Sequence, residues 1–541
     1  RRLNENKNFV GELLIGYNFK LWQNHNFDII LNAMDQKVTW NNQQAGLNTL
    51  SNIPSWEQRR IDQNAPPEAI GYFYERTPSG LQGYMGRLSY NYSKKYYLDV
   101  TVRRDGSSKF APGYKWGTFP SIGAAWRISD ESFMESLSFL SDLKIRAGWG
   151  QTGNQETRDF AYLSLVDFRY ATQFGTRSTE RIGDGNYQQG AVLGDFPIED
   201  LSWETVTTAN FGFDSEWWNG KLSITAEYYQ RITDGILQTI NIPLVIGVTN
   251  RPVQNLAKVE NRGFELQGNY RDKIGEVGYN LGFNLTTVRN RVQQVYQGRP
   301  QGGNDNRIEE GLPINSFFGY RTAGIFQTEA EVTEWLNQND DPGNEAQKSP
   351  GDVIFSDLYG PPAEGSAPGI YRSDSPDGRI TADDRDYLGK SIPGYFYGLN
   401  LGFDYKNFDL YLNFRGLGDV QKINRNGRES ISGGGGNYLA EYLGRWTPEN
   451  PSNTIPRALN GNPTGNNRFS DRFIEDAGFL RFQNFQLGYN FTGDALKRMG
   501  IGSLRAYVSG ANLFVLTPYN DLDPEDITTP TTFTFGVNLG F

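Results

Sequence analysis

Residues 531–541 read TTFTFGVNLGF, and their side chains separate by parity. Phe533, Phe535, Val537, Leu539 and Phe541 fall on one face, with Thr532, Thr534, Gly536, Asn538 and Gly540 on the other. Period-two alternation marks a strand, because successive side chains of an extended chain point to opposite sides. What constrains the fold is the make-up of the two faces. One is continuous, apolar and aromatic; the other is polar, uncharged and partly glycine. A soluble sandwich would turn Lys and Glu toward bulk water. Hydrocarbon on one side and a crowded wet interior on the other is the pattern of a transmembrane β-barrel.

The same grammar recurs at 8–20, 27–40, 81–92, 96–108, 117–128, 143–151, 204–218, 221–236, 259–271, 276–289, 394–406, 408–418, 479–491, 503–516 and 531–541. These segments are longer than typical globular strands, which average about 5 to 6 residues. Short connections, such as KN at 406–407, alternate with long ones near 41–79, 152–203, 290–393 and 419–478, expected as extracellular loops. Aromatic residues collect at the short turns, as at Trp22, Tyr92, Tyr96, Trp217, Trp218, Tyr405 and Phe408. Amphipathic rings form such girdles at a membrane interface. Parity breaks once, at Gln483 and Asn484, where a β-bulge would restore the apolar face.

The expected fold is therefore all-β, an antiparallel transmembrane barrel of which this chain supplies about the last fifteen strands. A closed bacterial barrel has an even strand count with both ends on the periplasmic side. An odd number of strands is then expected ahead of Arg1, and seven more would make 22, the size of plugged transporters. The opening RRLNENKNFV has neither an initiator Met nor a signal peptide and reads as a fragment or processed product.

Composition narrows the function. Mean hydropathy is −0.59 and hydrophobic residues make up 37%, yet aromatics reach 14%. Averaging over lipid-facing and lumen-facing positions yields such values. No run approaches the ~18 apolar residues of a membrane helix. The chain has no cysteine, which excludes disulfides, thiolate metal sites and a cysteine nucleophile. A net charge of −10 argues against nucleic acid. His25, the sole histidine, falls in the short turn predicted at Trp22–Asn26, so a Ser-His pair is hard to assemble. Carboxylates are plentiful, but no acid pair is singled out by spacing, and no enzymatic activity is expected.

Several longer motifs are specific. RRDGSSKFAPGYKWGTFPSIGAAWRISDESFM (103–134), LKIRAGWGQTGNQ (143–155), LSWETVTTANFGFD (201–214), VENRGFELQG (259–268), RWTPENPSNTIPRA (445–458), FIEDAGFLRFQNFQLGYNF (473–491) and ANLFVLTPYNDLDPE (511–525) follow one another in order. Together they resemble the SusC/RagA family of TonB-dependent outer-membrane transporters of Bacteroidota. The resemblance implies import of oligosaccharides or peptides, a SusD-like surface lipoprotein as lid, and energy from the TonB complex (TonB-ExbB-ExbD) acting on an N-terminal box and plug. That N-terminal machinery is not in these 541 residues. The resemblance also implies a Gram-negative outer membrane, with lipid and lipopolysaccharide around the wall, and a role for the terminal Phe541 in barrel assembly. A passive porin and a soluble, secreted, β-rich carbohydrate-active protein are the rival readings.

Two features offer candidate sites. FSDLYG (355–360) and SDSPDGRITADDRDYLG (373–389) form an interrupted EF-hand-like stretch. It reads either as a Ca²⁺ loop through Asp357, Asp377 and Asp384 or as a solvated acidic turn. The insertion between Asp357 and Asp377, and Asp384 standing where a bidentate Glu is preferred, favour the turn. Ca²⁺ is the single cofactor in question; otherwise none is expected. The long connections also carry Trp56, Tyr170, Tyr187, Trp335, Tyr359, Tyr438 and Trp446. Such rings either bind ligand or partner or pack the loops against themselves. The 290–393 connection, with a helical stretch at 329–338, is too long to be idle and is expected to shape the outer mouth.

Overall fold

The computed structural model describes residues 2–47, 70–159, 161–163, 166–173, 187–193, 197–239, 253–303, 305–342, 347–367, 370–431, 438–493, 496, 498–521, 523–526 and 529–541. The chain divides into two compact units. The first is Arg1–Trp126, Ala147–Ala209 and Thr233–Ala257; the second is Arg127–Arg146, Asn210–Ile232 and Lys258–Phe541.

The elements in order begin with β1 (Arg2–Leu21), β2 (His25–Leu47), β3 (Ile70–Tyr92), β4 (Tyr96–Ser107), β5 (Trp116–Arg127) and β6 (Leu140–Asn154). Next come β7 (Val166–Gln173), β8 (Tyr187–Leu193), β9 (Glu204–Trp217), β10 (Leu222–Thr239), β11 (Val253–Ile274) and β12 (Val277–Thr287). A region of short pieces follows: β13 (Arg289–Gln294), β14 (Gln301–Gly302), β15 (Asn306–Ile308), β16 (Ser316–Tyr320), β17 (Thr322–Ile325), α1 (Glu329–Leu336), β18 (Val353–Phe355) and β19 (Arg385–Gly389). The chain closes with β20 (Tyr395–Tyr405), β21 (Phe408–Gly418), β22 (Gln421–Ile423), α2 (Arg425–Ile431), β23 (Ile474–Asp476), β24 (Phe479–Phe491), β25 (Ser503–Leu516) and β26 (Thr532–Gly540). Every predicted segment falls on one of these strands. Among the described residues no helix is long and apolar enough to cross a membrane.

In the first unit β1 to β5 pair in sequence order, all antiparallel. Their register lines up Tyr17, Ile29, Leu88, Val100 and Ile122 across five strands. In the second unit β11, β12, β20, β21, β24, β25 and β26 pair in that order. There Phe283, Leu399, Phe414, Phe482 and Phe514 form one cross-strand row, and Phe482 stacks on Phe414 at 4.5 Å between ring centroids. Three positions along β12, β20 and β21, and so on the opposite face, Asn280, Gly402 and Tyr411 align with Gln486, Ser509 and Thr534. The two faces inferred from single strands are thus continuous across β1 to β5 and across β12 to β26 as paired. The apolar one is not buried under a second sheet: Leu31, Val102, Ile122, Phe283, Leu487 and Phe535 are all exposed, Phe535 at 82%.

Glycine has a steric cause on both faces, at Gly536 on the polar one and at Gly416 in the row of Tyr397 and Leu285 on the apolar one. At Gly536 a Cβ would lie 2.3 Å from Tyr507 Cζ, and at Gly416 2.4 Å from Tyr397 Cζ and 2.3 Å from the Phe479 carbonyl. Rings lie flat over bare backbone, the arrangement that shields a strand glycine. The parity break at Gln483 is a bulge, with register shifting opposite Asn413/Phe414 and again before β25. Aromatic rings gather at the short turns as expected: Tyr96 stacks on Trp126 in the first unit, Phe139 on Trp217 and Phe408 against Tyr489 in the second.

Three expectations are corrected. Residues 41–47 and 70–79 of the stretch 41–79 are strand rather than loop: β2 and β3 stay in register out to Leu47 opposite Ile70. Polar residues on both faces still ladder there, since backbone pairing does not need an apolar face. His25 opens β2 rather than sitting in the turn, which spans 22–24; its Nδ1 lies 2.8 Å from the Tyr90 hydroxyl. The 152–203 connection carries a hairpin, β7 paired with β8.

Candidate ligand-binding loops and a cationic cavity

Register places the ends of the second unit. Ile274 faces Val277 and Tyr405 faces Phe408 at the short-turn end, whereas Thr287 faces Tyr395 and Tyr395 faces Gly418 at the other. The connections 288–394, 419–478 and 517–531 all leave from that second end. They fold on each other around their own apolar residues. Val353, Phe355 and Ile380 form a buried cluster with Tyr320 and Trp335 against it, and Phe317, Leu388 and Phe469 another with Ile423 and Ile474. Helix α1 is started by Thr328, whose side chain accepts the Glu331 N–H, and Val332 is its buried residue.

Ionic nodes lock these loops over long chain separations. Asp352 has no exposed surface. Its carboxylate accepts two 2.8 Å hydrogen bonds from the Arg457 fork, one from the Thr464 hydroxyl, one from the Asn466 amide and one from the Ser349 N–H. Arg457 belongs to the RWTPENPSNTIPRA motif, which gives that motif a structural task. The buried Lys348 ammonium donates to the Thr464 carbonyl at 2.6 Å and pairs with Asp341 at 3.5 Å; burial pulls its pKa down to about 8. In the NDLDPE stretch, Asp523 and Glu525 both hold Arg481, at 3.0 and 2.9 Å, and Glu525 also takes Arg415 at 2.8 Å.

The predicted aromatics divide. Trp335 packs edge-on to Phe326 at 5.7 Å. The Trp446 indole donates to Gln327 Oε1 at 3.1 Å and covers Gly351, whose positive φ of 90° and missing Cβ leave room for the ring. Tyr359 lies under the Arg372 guanidinium at 3.7 Å, and burial raises its hydroxyl pKa. For these three the self-packing reading describes the geometry. Tyr438 is exposed and rests 5.7 Å from Tyr442. Trp56 lies outside the described residues, as do the side chains of Tyr170 and Tyr187, whose backbones pair with Gly190 and Gln173. Phe541 follows β26 and is 91% exposed.

Asp357, Asp377 and Asp384 are brought together, but as an amide clamp. Asp357 accepts the N–H groups of Asp377 and Gly378, Asp384 those of Leu358, Tyr359 and Thr381, and Asp377 that of Arg379. Burial, with the other two carboxylates adding, holds Asp357 above the usual carboxylate range. Among the described residues no group of three or more His, Asp or Glu is arranged to hold a metal ion. In this arrangement the oxygens of the stretch close a turn, the reading that the insertion between Asp357 and Asp377 favours.

Sequence reasoning missed a cavity of about 820 Å³ where the loops leave β12 and β21, lined among others by Arg289, Arg291, Tyr387, Lys390, Asp419 and Gln421. Lys390 pairs with Asp419, and its N–H donates to Gln421 Oε1 at 2.9 Å. The signal that could have exposed it is VRNR at 288–291, two arginines on one face of a strand just past the predicted wall.

The faces, the loop-bearing end and the length of the strands can now be set beside known proteins. The model of the TonB dependent receptor-like β-barrel family matches residues 3–513. The chain belongs to that family. It is 29% identical over 532 residues to TonB-dependent receptor P3 of Formosa agariphila, covering 96% of this chain and 49% of that protein. It is also 29% identical over 473 residues to TonB-dependent receptor SusC of Bacteroides thetaiotaomicron, covering 83% and 42%. The chain thus spans about half the length of the curated relatives it matches. A solved structure of the RagAB peptide transporter aligns with a TM-score of 0.77 at 21% identity, covering all of this chain and 56% of that one, which establishes the shared fold. The SusC/RagA resemblance and the all-β barrel class are borne out.

Proposed function

We propose that this chain is the greater part of the wall and mouth of an outer-membrane importer that takes up oligosaccharides or peptides with a SusD-like lipoprotein and TonB-derived energy. The observation that carries the reading is the pair of continuous faces, apolar and exposed on one side, polar and glycine-bearing on the other, topped at one end by loops with their own ionic framework. The family match and the motifs count against a passive porin, and a soluble protein would bury the exposed row. The family resemblance suggests oligosaccharides, and the RagAB structure, named a peptide transporter, suggests peptides. No catalytic constellation is invoked.

The test is uptake by cells carrying the full-length protein. Import of a labelled oligosaccharide or peptide should require detergent-extractable protein in the outer membrane and stop when TonB is deleted. Uptake that persists without TonB would favour the porin. Protein that stays in buffer without detergent would refute the membrane assignment altogether.

A further inference from the structure

We propose that the cavity bounded by Arg289, Arg291 and Lys390 is a subsite for an anionic group, carboxylate or sulfate, carried by an oligosaccharide. The claim that this molecule is cargo rests on the importer reading; the claim that it binds does not. A chain with net charge −10 here presents three cations and one carboxylate to a single cavity. Lys390 is already neutralised by Asp419. Arg289 and Arg291 have no carboxylate within ion-pair distance among the described residues. Glu260, opposite Arg291 in the ladder, gives its oxygens to Gln230 and Gln293, and Arg291 acts on it through charge alone, without a hydrogen bond.

Two residues apart on β13, the arginines share a face, the one that carries Phe283 and Leu285 further down the ladder, with their attachment points roughly 6 to 7 Å apart at strand rise. Guanidinium groups carried on one face of a strand repel one another where they approach, so an anion placed between them is attracted by both. Their forked donors match the oxygens of a carboxylate or sulfate. The space available is that of a small-ligand site, about 300 to 1,000 Å³, and takes a few residues of an oligomer at once.

The edge of β19 argues for side-chain recognition over strand addition. Its Tyr387 carbonyl accepts from Arg321 at 2.6 Å and its Arg385 carbonyl from Arg372, while Lys390 exchanges two hydrogen bonds with Gln421. An extended peptide needs those backbone groups free to add as a strand. A sugar acid needs the arginines and a hydroxyl partner, which Tyr387 offers.

The experiment is calorimetric titration of the full-length protein in detergent with trigalacturonate, a sulfated trisaccharide, neutral maltotriose and triglutamate. The two acidic sugars separate carboxylate from sulfate as the source of charge. Both, or one, should bind far more tightly than maltotriose, with affinity falling as salt rises from about 0.01 to 0.15 M. Arg289→Gln and Arg291→Gln should each weaken that binding about tenfold, and Arg291→Lys should recover part of it. The salt titration needs no variant and stands if one fails to fold. Equal affinity for neutral and acidic sugars, or a double variant that binds unchanged, overturns the subsite. Triglutamate bound as tightly, with the same dependence on both arginines, overturns the oligosaccharide assignment. Binding that persists in a protein importing nothing would refute the importer reading and leave the subsite standing.

Discussion

Replacing Asp352 by Asn tests whether the mouth loops are held by their ionic nodes. The carboxylate makes five hydrogen bonds and has no exposed surface. Asparagine keeps the shape but removes the charge and turns one acceptor into a donor. Placed at Oδ2 it would face the Arg457 fork and the Ser349 N–H, donor against donor; placed at Oδ1 it would face Arg457 Nε, Thr464 and Asn466. Breaking a buried ion pair costs about 3 to 5 kcal/mol. The Arg457 side chain keeps 27% of its surface exposed and can recover some hydration, which puts the change near the low end, about 3 kcal/mol. At 1.4 kcal/mol per decade, local opening should become roughly a hundredfold more frequent. Hydrogen exchange read by mass spectrometry on the full-length protein should show 347–357 and 455–470 exchanging that much faster, with 408–418 unchanged. Val353 is the sharpest reporter, because its N–H donates to Asn466, a partner of the lost carboxylate. Exchange within about threefold of wild type in both loop segments would refute the reasoning.

On the wall, Leu410→Arg and Leu281→Arg should each cost about 2 to 4 kcal/mol in urea unfolding from liposomes. Asn413→Arg and Asn284→Arg on the opposite face should stay near 1 kcal/mol, the worth of a hydrogen bond such as that from Asn413 to Asn400; equal penalties would contradict the assigned faces. Gly416→Ala must displace Tyr397 against the Phe479 carbonyl and should lose about 1 to 3 kcal/mol, whereas Gly268→Ala, with open space at its Cβ, should be nearly silent in the same assay. Lys348 titrates near 8 in the folded loops and near 10.4 unfolded, so between those values the unfolded chain binds more protons and stability rises with pH. Loop melting should therefore climb from about pH 8 to 10, and Lys348→Met should flatten that rise; a rise that persists in the variant assigns it elsewhere.

The wall was legible because lipid and lumen impose different residue types on alternate positions, and even the Gln483 bulge announced itself as a parity break. Legibility ended where that contrast ended. Beyond Trp40 the ladder runs on through Asn41 and Asn42, polar on both faces, and carries no period to detect. The loop framework was invisible for another reason: Asp352 meets Arg457 across 105 residues, and no local pattern records such a pair. The acidic stretch at 357–384 reads two ways from sequence because carboxylates that clamp backbone amides and carboxylates that ligate a cation share a spacing. Trp335, Tyr359 and Trp446 stand out in the sequence as rings, but only packing distinguishes a ring that holds loops together from one offered to a ligand.

The chain lacks cysteine, so single reporters can be placed without background. Cysteines at Leu401 and Leu412, neighbours in one apolar row, and at Asn400 and Asn413, neighbours in the polar row, differ by one position along each strand. With the full-length protein in bilayers and a bimane on each, brominated lipid should quench the first pair and leave the second to a water-soluble quencher. Quenching by lipid at all four sites, or at none, would contradict the account.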